Sequence, residues 1–131
     1  MSEACGSRDR GPLLCTLQQL AESGCREFCL GEGDWPLRGF VLRVGGAVLA
    51  YVNRCPHLRY RLNYLPDDFL SADRQHIVCA MHSALFEKDS GLCVSGPCLG
   101  RYLTGLPVQI HGGDVLLAAG TNLSALIERF A

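Results

Sequence analysis

Two short boxes, Cys55-Pro56-His57 and Cys79-Ala80-Met81-His82, each bring a thiol and an imidazole within a few residues of each other. Thiolate sulfur and neutral imidazole nitrogen are donors suited to transition metals. In an extended segment residues i and i+2 point to the same side, roughly 6.6 Å apart at about 3.3 Å per residue. Cys55 and His57 can therefore reach two different metal atoms of one small cluster from one face. A single zinc prefers more residues between paired ligands, so that the chain folds back around one ion. One intervening residue is tight for that. Cys79 and His82, with Ala80 and Met81 between them, suit a turn that presents both side chains inward. A mononuclear zinc site, or four unrelated residues in a β core, are the competing readings.

The elements around the boxes read as mostly β. Gly39–Val44 and Ala47–Asn53 are β-rich runs separated by Gly45-Gly46, a two-residue hairpin signal, and the second run leads straight into Cys55. Leu13–Leu17 and Arg26–Leu30 are further strand candidates, with a single helical turn over Gln18–Ser23 ended by Gly24. Gly31–Pro36 and the polar stretch Arg59–Gln75 read as loops. Ile77–Cys79 is a short strand feeding the second box. Leu85–Glu87 and Leu92–Val94 form a hairpin around Lys88–Gly91, followed by the tight loop Ser95-Gly96-Pro97. Leu106–Ile110 and Val115–Ala118 make a last hairpin. Only Asn122–Phe130 has helical periodicity, with Leu123, Leu126, Ile127 and Phe130 on one face that packs on the domain and Thr121 or Asn122 as cap. This divides the chain into a tail at 1–11, a main domain at 12–120 and a terminal helix at 121–131.

Composition narrows the function classes. The chain has 131 residues, 48 % apolar and 19 % charged, enough for one globular domain with its own core. Net charge is −1, so no basic excess points to nucleic acid or an anionic membrane surface. Residues 1–10 are charged and lack the apolar run of a signal peptide, and no stretch approaches the roughly 20 apolar residues of a membrane span. A cytoplasmic location is expected. In a reducing compartment eight cysteines are ligands or buried thiols rather than a disulfide framework. Outside the boxes, Cys5, Cys15, Cys25, Cys29, Cys93 and Cys98 read mostly as small core residues, with pairing or reaction of Cys93 and Cys98, which bracket Gly96-Pro97, as the alternative for those two. His76 and His111 are expected to face solvent, Trp35 to anchor a loop, and Arg59 and Arg61 to flank the exposed edge of the site, facing solvent or an acidic partner.

From about Leu13 to Ala118 the chain resembles the Rieske-type [2Fe–2S] ferredoxin family. The resemblance rests on both boxes, their order, and the later Gly96-Pro97, which matches the family's loop over the cluster. It implies an all-β fold of small antiparallel sheets with a cluster-binding subdomain, plus the short C-terminal helix. It further implies that Cys55 and Cys79 bind the inner iron, and His57 and His82 the outer, more exposed one. Two imidazoles in place of two thiolates raise the potential above that of an all-cysteine cluster. The implied role is an electron carrier, loaded by a flavoprotein reductase and discharged to a terminal oxygenase or similar enzyme, with no catalysis of its own. A small Rieske-like subunit of a larger redox enzyme, as in nitrite reductase, is the alternative. An oxygenase α-subunit would need a second domain with further iron ligands.

The match departs at Ser83, where glycine usually follows the histidine, and at Ala80, where proline is common. Respiratory members of the family carry an extra cysteine in each box, joined as a disulfide. Tyr60 and Met81 occupy those positions here, so that bridge cannot form. Ala84 stands where those members place a serine hydroxyl near the sulfurs. Fewer hydrogen bonds to sulfur favour a potential at the low end of the Rieske range, nearer roughly −150 mV than +300 mV.

Overall fold

The computed structural model describes residues 12–31, 37–56, 61–63, 65, 67–80 and 83–130. His57, His82, Arg59, Tyr60, Met81, Trp35 and Cys5 lie outside them. The described residues form ten strands and two helices. In chain order these are β1 (Leu13–Thr16), α1 (Leu17–Ser23), β2 (Cys25–Leu30), β3 (Leu37–Val44), β4 (Ala47–Val52), β5 (His76–Val78), β6 (Leu85–Glu87), β7 (Cys93–Ser95), β8 (Gly105–Leu106), β9 (Val108–His111), β10 (Asp114–Leu117) and α2 (Leu123–Phe130). Every described pairing is antiparallel. The sheets run β1-β10-β9, β2-β3-β4-β8 and β5-β6-β7.

The four-stranded sheet is the spine because it is apolar on both faces. Alternation along β3 and β4 sends Phe40, Leu42 and Tyr51 into one core, and Leu37, Val41, Ala50 and Val52 into the other. The first core joins the spine to the β5-β6-β7 subdomain through Phe69, Ile77, Cys79 and Phe86. Phe40 and Phe69 stack there with centroids 4.1 Å apart. The second core holds the β1-β10-β9 sheet, with Leu123, Leu126 and Ile127 of α2 packed against it as the apolar stripe requires. Gly39 is glycine for space, since a Cβ there would stand 2.4 Å from the Phe28 ring.

Local chemistry explains the ends of the elements, and two sequence expectations need correction. α1 is a seven-residue helix rather than a single turn, so α2 is not the only helix. A capping box starts it: Gln19 N–H donates to Thr16 Oγ1 at 3.1 Å, and Thr16 N–H donates to Gln19 Oε1 at 3.0 Å. Gly24 ends it at φ +78, with its N–H on the Leu20 carbonyl. The expected strand Leu106–Ile110 is two strands in different sheets, divided at Pro107, which has no N–H to give a continuous ladder. Asn122 caps α2, its Oδ1 accepting from Ala125 N–H at 3.0 Å. No described helix is long and apolar enough to cross a membrane.

Candidate metal centre

Strand ends deliver both cysteines of the boxes. β4 stops at Val52 and Cys55 follows with 2 % exposure; β5 stops at Val78 and Cys79 follows with none. Both thiols belong to the core between spine and subdomain. The described ends of the second box are tied together: Cys79 N–H donates to the Ala84 carbonyl at 2.9 Å and Ser83 N–H to the Cys79 carbonyl at 2.7 Å. Ser83 takes a left-handed φ of +58, the conformation that glycine would adopt without cost. The structure thus brings the two predicted thiols into one buried region, while His57 and His82 fall outside the described residues.

A side-chain network absent from the sequence reading couples the boxes. Asn53, two residues before Cys55, is 4 % exposed. Its Oδ1 accepts from Leu62 N–H at 2.7 Å, and the Leu62 carbonyl accepts from Ala80 N–H at 2.7 Å. First box, connecting loop and second box are thereby one hydrogen-bonded chain. Asn53 Nδ2 also donates to Asn63 Oδ1 at 2.9 Å, while Asn63 Nδ2 donates to Glu27 Oε1 at 3.1 Å. Asp67, at φ +60, accepts from Glu27 N–H at 2.7 Å and from Arg26 at 3.4 Å, fixing the loop to β2. The long polar loop is therefore pinned. Nothing local in the sequence separates Asn53 from an ordinary turn asparagine, because its partners are distant in the chain.

A third loop closes on the second box. Gly96, at φ +106, lies so near it that a Cβ there would stand 2.8 Å from Ala84 Cα. Arg101, beyond this loop, donates to the Pro56 carbonyl at 3.1 Å, and so grips the first box. Cys93 and Cys98 flank the loop, each 1 % exposed, with sulfurs 3.3 Å apart. Burial pushes the Cys98 thiol up to about 12, Cys25 to about 12 and Cys15 to about 11. Beside the first box an open pocket of about 240 Å³ is lined by Arg54, Cys55, Pro56, Tyr102 and Arg129, among others.

Several expected placements change. His76 opens β5 and His111 closes β9; both are half-buried rather than solvent-facing, since strand pairing turns part of each inward. Cys15, Cys25, Cys93 and Cys98 are buried as expected, but Cys29 is exposed. Arg61 is exposed.

The Rieske [2Fe-2S] domain model matches residues 13–115, taking in both boxes and the Gly96-Pro97 loop. The chain belongs to the Rieske [2Fe–2S] domain family. Among solved structures, it is similar to the ferredoxin of carbazole 1,9a-dioxygenase from Nocardioides aromaticivorans IC177, at 25 % identity and TM-score 0.61, over 81 % of this chain and 94 % of that one. The Sphingomonas yanoikuyae B1 ferredoxin is similar at 21 % identity and TM-score 0.61, over 82 % and 97 %. The terminal oxygenase of carbazole 1,9a-dioxygenase from Novosphingobium sp. KA1 matches at 21 % identity and TM-score 0.64, over 88 % of this chain but 32 % of that one. No curated protein matches the chain.

The cofactor of this Rieske domain is a [2Fe–2S] cluster, and the described donors fit it. Two thiols at strand ends, sealed from water and set in loops tied to each other, suit the buried iron of such a centre. The Rieske fold of small antiparallel sheets is likewise the one expected.

Proposed function

We propose that this Rieske protein is an electron carrier, not an enzyme, whose cluster is held by Cys55, His57, Cys79 and His82. The bound cluster supplies reversible one-electron chemistry. The chain's own residues exclude water from the two sulfurs, hold the boxes at fixed separation through Asn53 and Leu62, and cover one side with the Gly96-Pro97 loop. The observation that carries the reading is the burial of Cys55 and Cys79 in one core between tied loops. His57 and His82 sit next to these thiols in sequence and complete a ligand set of the Rieske type.

Likeness along almost the whole of a dioxygenase ferredoxin supports the carrier reading. The chain spans nearly all of a dioxygenase ferredoxin but about a third of a terminal oxygenase. The donor is then a flavoprotein reductase and the acceptor a terminal oxygenase or similar enzyme, with the histidine edge as the exit. A reducing, cytoplasmic setting fits the buried free thiols. Optical and EPR spectra of the purified protein, with iron and sulfide analysis, test the assignment. A Rieske spectrum, lost in His82→Ala and His82→Cys, is the expected result. A colourless protein, a single zinc, or a normal spectrum in those variants overturns it. A protein stable only with a large subunit would overturn the free carrier.

A further inference from the structure

Cys93 and Cys98 stand five residues apart in sequence, and their sulfurs approach to 3.3 Å. Cys98 donates toward Cys93, and Cys93 toward the Ser95 carbonyl at 3.2 Å. The backbone holds them face to face: Gly100 N–H donates to the Cys93 carbonyl at 3.1 Å, Cys93 N–H to the Arg101 carbonyl at 2.8 Å, and Arg101 N–H to the Cys98 carbonyl at 2.9 Å. Both thiols are buried, yet Val94, Ser95, Gly96, Pro97, Leu99 and Gly100 around them are all exposed. Gly96 and Gly100 take positive φ of 106 and 86. A thin, glycine-containing surface loop thus covers a pair of thiols already in contact.

We propose that Cys93 and Cys98 form a reversible disulfide, a two-electron redox site distinct from the one-electron cluster. The oxidant is a low-molecular-weight disulfide such as glutathione disulfide. One protein thiol, deprotonated, attacks a sulfur of that disulfide and releases one small thiol, leaving a mixed disulfide. The second protein thiolate then displaces the second small thiol. One S–S bond breaks and one forms, two electrons pass to the small disulfide, and the two protein protons leave on the two released thiols. The closed ring is short, so the gain from restricting the unfolded chain is small and the bond remains reducible. Burial of both sulfurs confines exchange to moments when the loop opens.

The bond would also reach the metal centre. Cys98 and Cys55 belong to one buried core, and a disulfide removes a thiol proton from that setting. This consequence rests on Cys55 being a cluster ligand; the bond itself does not. The test equilibrates the cluster-loaded protein in buffers from fully reduced to fully oxidised glutathione, then quenches it in acid and alkylates it unfolded. Trypsin releases Asp89–Arg101, which contains Cys93 and Cys98 and no other cysteine. Two alkyl groups in reduced buffer are expected. In oxidised buffer the peptide should take none and weigh two hydrogens less, reverting with dithiothreitol. Two alkyl groups in every buffer, glutathione retained as the end product, or a bridge to Cys29 would overturn the proposal. The cluster's midpoint potential should differ between the two wild-type states and not in Cys93→Ser; equal shifts in both proteins would overturn the link to Cys55 while leaving the peptide result intact.

Discussion

Ala84 is a methyl at a place where a hydroxyl would change the electronics. It is fully buried, it accepts from Cys79 N–H through its carbonyl, and Gly96 packs against it. The resemblance to respiratory Rieske centres matches Ala84 to a serine, which implies one donor fewer to sulfur here. The midpoint potential measured by voltammetry should lie nearer roughly −150 mV than +300 mV, and Ala84→Ser should raise it. A midpoint well above 0 mV in the wild type would contradict the argument. Gly96→Ala forces a side chain into φ +106 and sets its Cβ 2.8 Å from Ala84 Cα. Strain of about 1–3 kcal/mol should appear as a lower thermal midpoint and faster loss of cluster colour.

At the scale of elements, the loops that carry the boxes depend on Asn53. Asn53→Ala leaves the Leu62 amide without its 2.7 Å acceptor in a buried setting, at a cost of roughly 1–3 kcal/mol. Denaturation should show that loss, and iron release to a chelator should quicken. Asn53→Asp keeps the acceptor but adds charge beside Glu27, which lies 3.4 Å from Asn53 Nδ2, so it should not restore the wild-type value. The elements themselves were unevenly legible in sequence. The β3–β4 hairpin was plain because Gly45-Gly46 sits between two β-rich runs. The full length of α1 was hidden, since its reciprocal cap is a matter of side-chain geometry rather than periodicity. The division at Pro107 is not legible in an apolar run, which does not record which sheet each half joins. Within the site, local spacing pointed to the thiols. The Asn53–Leu62–Ala80 chain was invisible because each link joins residues far apart in sequence.

Across the whole molecule, two cores on opposite faces of one sheet bury several thiols that take no part in the proposed ligand set. Burial raises Cys25 from 9.0 to about 12, offset in part by Arg74 and Lys88. Below pH 9 folded and unfolded chains both keep this proton, and its contribution to stability is full. As pH rises from 9 toward 12 the unfolded chain releases the proton while the folded one retains it, so stability falls. The urea midpoint should therefore drop between pH 8 and pH 10. Cys25→Ala should start lower and show a shallower drop; an equal slope would refute the cause. As cluster ligands, the enclosed sulfurs of Cys55 and Cys79 would meet few solvent dipoles that must reorient when charge arrives or departs, and hydrogen-bonded loops would hold their positions. Exchange of an electron then demands little nuclear rearrangement on that side, which favours rapid transfer at modest driving force.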